Sequence, residues 1–161
     1  MSDILIAYYS HSGNTKEIAE QINELVGGTI FRIEPVDEYP RSYQEVLKVS
    51  KVEIDNGIKP SLKKKVENFE RFGMIFVGSP NWYSTIAPPV ATFLSDYDLS
   101  GKKVIPFVTH GGGGVAHCII DIKKLIGNAT MLEGFVISGY RTGRAKQELQ
   151  TWLTQIQMIS E

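Results

Sequence analysis

The chain has 161 residues, enough for one domain with a full-sized core, and its 42% apolar and 22% charged residues are ordinary globular values. A net charge of −1, from 17 basic and 18 acidic residues, gives no electrostatic footprint for nucleic acid or a membrane surface. A single cysteine, Cys118, excludes an internal disulfide and a cysteine metal cluster, and agrees with a reducing compartment.

Met1-Ser2-Asp3 leads directly into an apolar run and leaves no room for a signal peptide, while no apolar run approaches a membrane span. The expectation is therefore a cytoplasmic chain with residues 1–161 in a single domain. Ile4 to Tyr9 is almost uninterrupted apolar and aromatic sequence, which predicts a strand buried on both faces of a parallel sheet. Ser10-His11-Ser12-Gly13-Asn14-Thr15 follows, with three hydroxyls, one amide and one glycine, and opens into a helix carrying Ile18, Ala19, Ile22, Leu25 and Val26 at helical spacing. Asn14 and Glu17 have the spacing of an N-cap and its return cap. A strand, a hydroxyl-rich loop and a helix start together make an anion site, although the loop contains no Lys or Arg. Taken alone, the same residues also fit an ordinary capped connection.

Thr29 to Ile33 is the second predicted strand, entered from the helix-ending pair Gly27-Gly28 and closed by Glu34-Pro35. Ser42-Tyr43-Gln44-Glu45 has capping-box spacing and starts a helix with Tyr43, Val46, Leu47 and Ile54 on one face, ended by Asn56-Gly57 and Pro60. Lys63-Lys64-Lys65 reads as a solvated face. Met74 to Val77 is a central third strand, and Gly78-Ser79-Pro80-Asn81-Trp82-Tyr83 leaves its carboxyl end. Pro88-Pro89 opens the next helix, through Tyr97. Val104 to Thr109 is the fourth strand, where Pro106 predicts a bulge because an interior strand needs its N–H. His110-Gly111-Gly112-Gly113-Gly114, a helix from about Val115 to Ile126, a fifth strand from Met131 to Ser138 and a final helix through Ala145, Leu149, Trp152, Leu153 and Ile156 complete the chain.

Strand and helix alternate throughout, which predicts an α/β fold with a parallel sheet. With strand order 2-1-3-4-5, ligands would bind outside the carboxyl ends of strands one and three, where the order reverses. There the hydroxyl loop faces Trp82 and Tyr83, with the glycine run on the far side. A phosphate site, a flat aromatic surface and a glycine run suit a phosphorylated planar heterocycle.

In the segments ILIAYYSHSGNTKEIA, VGSPNWYSTIAPPVATFL and PFVTHGGGG the sequence resembles the flavodoxin-like family of FMN-binding proteins, over essentially its whole length. The resemblance implies a flavodoxin-like three-layer, doubly wound sandwich with a five-stranded parallel sheet. It also implies that Ser10, Ser12, Gly13, Asn14 and Thr15 hold the FMN phosphate, with His11 contributing through its backbone. Pro80, Asn81, Trp82 and Tyr83 would flank the isoalloxazine ring, and Thr109, His110, Gly111, Gly112 and Gly113 would bond its pyrimidine edge. No metal is implied, and FMN carries the chemistry.

Competing motifs are incomplete. The first loop lacks the Gly-Lys-Ser/Thr of a Walker loop and the three spaced glycines of a dinucleotide fingerprint. A receiver domain needs acidic residues where Tyr8-Tyr9-Ser10 stand. His117-Cys118 has the look of a phosphatase loop, but Lys124 occupies its arginine position, and a core cysteine in a helix is the expectation.

Two functions follow from the resemblance. One is a small electron carrier exchanging electrons with redox partner proteins; the other is an FMN-dependent reductase taking NAD(P)H and a small acceptor such as a quinone, azo or nitro compound. Familiar carriers of the family are strongly acidic and often place a glycine beside the ring. This chain is nearly neutral, and Pro80-Asn81-Trp82-Tyr83 contains no glycine.

Overall fold

Residues 3–160 are described by the structure, a computed structural model. Met1 and Ser2, on which the leader expectation partly rests, lie outside the described residues. In chain order the elements are β1 (Asp3–Tyr8), α1 (Asn14–Val26), β2 (Thr29–Arg32), α2 (Tyr43–Asp55), β3 (Phe72–Trp82), β4 (Thr85–Ile86), α3 (Pro88–Asp96), β5 (Lys103–His110), α4 (Cys118–Leu125), β6 (Thr130–Met131), β7 (Phe135–Ser138) and α5 (Lys146–Gln155).

The parallel sheet runs β2-β1-β3-β5, and β6 and β7 lie end to end along the far side of β5. Counting β6 and β7 as one interrupted edge strand, and setting aside β4 as an antiparallel return on β3, gives the expected order 2-1-3-4-5. Ile6 pairs with Ile30 on one side and Phe76 on the other, and Phe76 pairs with Ile105. Alternation of side chains then divides the apolar strands between two faces. Ile6, Phe76 and Ile105 meet Ile18 and Ile22 of α1 and Leu149 and Leu153 of α5. On the opposite face, Leu5, Ile75 and Val104 meet Val46 of α2, Val90 and Phe93 of α3 and Ile122 of α4. The result is the three-layer arrangement.

Pro106 departs from its expectation in an instructive way. The β5 strand runs unbroken through it, with Pro106 paired to Val77. The irregularity falls on the neighbouring strand instead. Leu132 donates its N–H to the Val104 carbonyl at 2.9 Å, so Val104 and, two residues on, Pro106 turn their backbone groups toward the sheet edge. There the chain leaves the ladder between β6 and β7, where the missing Pro106 N–H has no carbonyl to satisfy.

Two caps also differ. Gly13, with φ of 102°, occupies the N-cap of α1, and Asn14 is the first helical residue without a capping side-chain bond. Ser42 stands at the N-cap of α2 but likewise makes none. At the other end of α1, Gly27 (φ 68°) donates its N–H to the Asn23 carbonyl, as a helix-ending glycine should. The lysine run is surface, with Lys63 paired to Glu38 at 3.0 Å and Lys64 to Glu34 at 3.9 Å. Trp152 is core, its indole N–H satisfied by the Glu133 carbonyl at 2.9 Å.

Candidate functional site

A cleft of about 540 Å³ opens at the carboxyl ends of β1, β3, β5 and β7. One end is the start of α1. Glu17 makes the first intrahelical bond, to the Gly13 carbonyl at 3.0 Å, which leaves the N–H groups of Asn14, Thr15 and Lys16 without helical acceptors. Ser12 and Asn14 line the cleft. Ser10 and Thr15 act from behind it: the buried Ser10 hydroxyl accepts the Gly13 N–H at 3.1 Å, and the buried Thr15 hydroxyl bonds that of Thr109 at 2.8 Å. His11 turns its ring away from the loop and donates from Nε2 to the Pro40 carbonyl at 2.9 Å.

A second wall comes from the end of β3. Pro80, Asn81 and Trp82 line the cleft, and the Asn81 amide donates to the Gly114 carbonyl at 2.9 Å, tying this wall to the glycine run. The chain then reverses through Tyr83 and Ser84, with φ of 52° and 69°, so that Trp82 pairs with Thr85. Positive φ at both central residues marks a two-residue hairpin turn that usually demands Asn or Gly. Tyr83 points away from the cleft. Its hydroxyl donates to the Leu47 carbonyl at 3.0 Å, and the Lys51 ammonium lies 5.5 Å from its ring centroid. Trp82 is 6% exposed and is met edge-on by Tyr39 at 5.1 Å, Tyr9 at 5.4 Å and His11 at 6.2 Å.

The third wall is the end of β5. Thr109, His110 and Gly111 line the cleft. The His110 ring accepts the Gly112 N–H on Nδ1 at 3.0 Å, which closes the glycine turn on itself. Gly112 and Gly113 stand back from the cleft, and Gly113 approaches the Asn81 amide.

Three further lining residues escape the sequence reading: Tyr43, Gly139 and Tyr140. A Cβ on Gly139 would stand 2.4 Å from Asn14 Nδ2, so glycine lets the turn after β7 touch the start of α1. Tyr140, 85% exposed, and Tyr43, 64% exposed, are the most open aromatic side chains among the described residues, and they enter the cleft from opposite ends of the sheet. The signal was present in position: the loop after the fifth strand obeys the same rule as the loops after strands one, three and four.

Burial keeps the neighbouring phenols protonated, raising Tyr9 and Tyr39 well above the ordinary range, with the bond to Glu53 adding to Tyr39. Cys118 is buried, and desolvation pushes its thiol up to about 12, which removes it from nucleophilic chemistry. No cluster of His, Cys, Asp and Glu suited to a metal occurs among the described residues, and no described helix is long and apolar enough to cross a membrane.

The model of the flavodoxin family matches residues 3–156. The chain belongs to the flavodoxin family. Among curated proteins none matches the sequence. A protein of Bacteroides eggerthii classed as a flavoprotein is 28% identical, with a TM-score of 0.86 over 98% of this chain and 99% of that one. A flavoprotein from Lactobacillus acidophilus, solved in complex with FMN, is 21% identical, with a TM-score of 0.75 over 94% of this chain and 99% of that one. An NADH:FMN oxidoreductase, EMOB, is 15% identical, with a TM-score of 0.62 over all of this chain and 92% of that one. The last two likenesses concern the flavodoxin fold.

Proposed function

We propose that the cleft binds FMN non-covalently and that the chain is an electron-transfer flavoprotein of the flavodoxin type. The observation that carries this reading is the juxtaposition of an open helix N-terminus with a cleft walled by Pro80, Asn81, Trp82, His110 and Gly111. The fit is chemical at both ends. The unpaired N–H groups of Asn14, Thr15 and Lys16, with the Ser12 hydroxyl, suit a phosphate through charge-assisted bonds on the order of 1.5 to 3 kcal/mol each. Gly111, whose Cβ position is open space, lets backbone groups approach a ring edge.

Ser10 and Thr15 hold the loop in shape, and His11 anchors it to the Pro40 carbonyl. Trp82 forms the packed floor of the ring site. Tyr43 and Tyr140 supply the exposed aromatic faces that Trp82 and Tyr83 were expected to present. Bound FMN would supply redox chemistry that no side chain here provides. The relative solved with FMN supports the cofactor.

A second reading, an FMN-dependent reductase using NAD(P)H and a small acceptor, is favoured by the near-zero net charge, which offers little steering toward a charged partner protein. Titration of the apoprotein with FMN, FAD and riboflavin tests the cofactor. Tight FMN binding with much weaker riboflavin binding is expected, and equal affinities would remove the phosphate role of the Ser10–Thr15 loop. Steady-state oxidation of NAD(P)H with a quinone acceptor then separates reductase from carrier.

A further inference from the structure

Beside the cleft, separated from it by the His11–Trp82 ring pair, lies a second cavity of about 240 Å³ over the ends of β1 and β2. Its floor is apolar and aromatic, from Tyr9, Ile33 and Tyr39, and two guanidiniums, Arg32 and Arg41, stand on its lining. Two carboxylates also line it, and both are engaged from outside: Glu38 by Lys63 at 3.0 Å and Glu34 by Lys64 at 3.9 Å. The hydrogen bond and charge of Lys63 hold the Glu38 carboxyl below its ordinary range, and the Arg41 charge adds to this from within the lining. Neither Arg32 nor Arg41 belongs to an ion pair among the described residues. Among the described residues the only acceptor for the Arg32 guanidinium is the Ser10 carbonyl, at a long 3.4 Å.

The cavity lining thus carries two guanidiniums with donors to spare, beside two carboxylates that lysines outside the lining pair. Two guanidiniums on the lining of one cavity match an organic phosphate, whose oxygens their fork geometry takes bidentately. A concave site of this size suits a small molecule better than the flat carboxylate patch of a partner protein.

We propose that this cavity is a second binding site, in which Arg32 and Arg41 hold the phosphate of a nicotinamide dinucleotide next to the flavin cleft. The anion site follows from the cavity itself, while the choice of a dinucleotide rests on FMN binding and on the reductase reading given above. His11 sits between the two ligands, its Nε2–H committed to Pro40.

Calorimetric titration of the FMN-loaded protein with NADPH, NADH and adenosine 2′,5′-bisphosphate, and of the apoprotein with inorganic phosphate and the bisphosphate, tests it. The expected result is binding of a dinucleotide and the bisphosphate that weakens about tenfold or more in Arg32→Gln and in Arg41→Gln, and that falls with added salt more steeply in the parent than in either variant. FMN affinity should stay within about twofold in both variants, on the same scale. Equal phosphate binding by the parent and the double variant overturns the site. A loss of FMN affinity in Arg32→Gln with riboflavin unaffected also overturns it, because the arginine then serves the flavin phosphate. An apoprotein that takes no FMN but binds the bisphosphate through both arginines sinks the flavin reading and the dinucleotide while sustaining the anion site.

Discussion

At the scale of single residues, the two kinds of aromatic around the cleft should separate by experiment. Trp82 is enclosed by Tyr9, Tyr39 and His11, so Trp82→Ala empties a packed site and should cost about 3 to 5 kcal/mol of stability in urea unfolding. Tyr43 and Tyr140 are exposed and have little to lose on folding. Tyr43→Ala and Tyr140→Ala should therefore leave the urea midpoint unchanged, while each weakens FMN binding by about 1 kcal/mol and relieves quenching of the bound flavin's emission. Unaltered flavin affinity in both tyrosine variants would return the ring contact to Trp82. Thr15 can be examined in the same way. Its hydroxyl is spent on Thr109, so Thr15→Val should leave a buried Thr109 hydroxyl unpaired and lower stability by about 1 to 3 kcal/mol. Adding Thr109→Val should recover most of that loss, because removing both partners leaves nothing unsatisfied. A double variant as unstable as the sum of the singles would show that the pair is not what holds the loop.

At the scale of elements, the hairpin after β3 carries the clearest strain. Tyr83 and Ser84 both sit at positive φ without the glycine that such a turn favours, held by the β3–β4 pairing and by the His117 N–H, which donates to the Ser84 carbonyl at 2.9 Å. Ser84→Gly should relieve one left-handed position and raise stability by about 1 kcal/mol. A neutral or negative change in the urea midpoint would mean that the turn is not strained. At the sheet edge, Gly134→Ala should do the opposite, since the new Cβ would stand 2.9 Å from both Pro106 Cγ and Ile119 Cδ1. Overpacking there should cost about 1 to 3 kcal/mol. These two places also mark the limit of what the sequence makes legible. The apolar runs at Ile4 to Tyr9 and Met74 to Val77 declare their strands because burial on both faces leaves no alternative pattern. The hairpin is illegible because no local signal announces a turn in Trp82-Tyr83-Ser84-Thr85; tertiary pairing imposes it. Pro106 announces an irregularity but not which strand absorbs it, since that depends on which neighbour its missing N–H faces. The cleft was legible along its three loops. Sequence shows the Ser10 and Thr15 hydroxyls without showing the Gly13 N–H and the Thr109 hydroxyl that they bond, and Tyr140 lines the cleft from the loop whose residues look least distinctive.

For the whole molecule, burial of protonated acids sets the dependence of stability on pH. Cys118 is pushed up to about 12 by desolvation, and Tyr8, Tyr9 and Tyr39 are all raised, burial being the first cause in each. Their ordinary values are 9.0 for the thiol and 10.0 for the phenols. Once pH passes those values, the unfolded chain releases protons that the folded chain retains, so the unfolded state binds fewer protons and stability falls as pH rises. The stabilisation is complete below about pH 9 and is lost progressively toward pH 12, with each unit of pH removing about 1.4 kcal/mol per retained proton. Urea midpoints should therefore be nearly level from pH 7 to 8.5 and drop steeply by pH 10.5. Because the slope counts protons, it can be dissected without regard to what each variant does to packing: Cys118→Ala should shallow the decline from pH 9 upward, and Tyr39→Phe should shallow it only above pH 10. The buried thiol should likewise resist alkylation at pH 8 until the chain unfolds. Midpoints that stayed level to pH 11, or slopes unchanged in both variants, would show that these groups ionise freely in the folded protein and that the packed face beneath the cleft admits water.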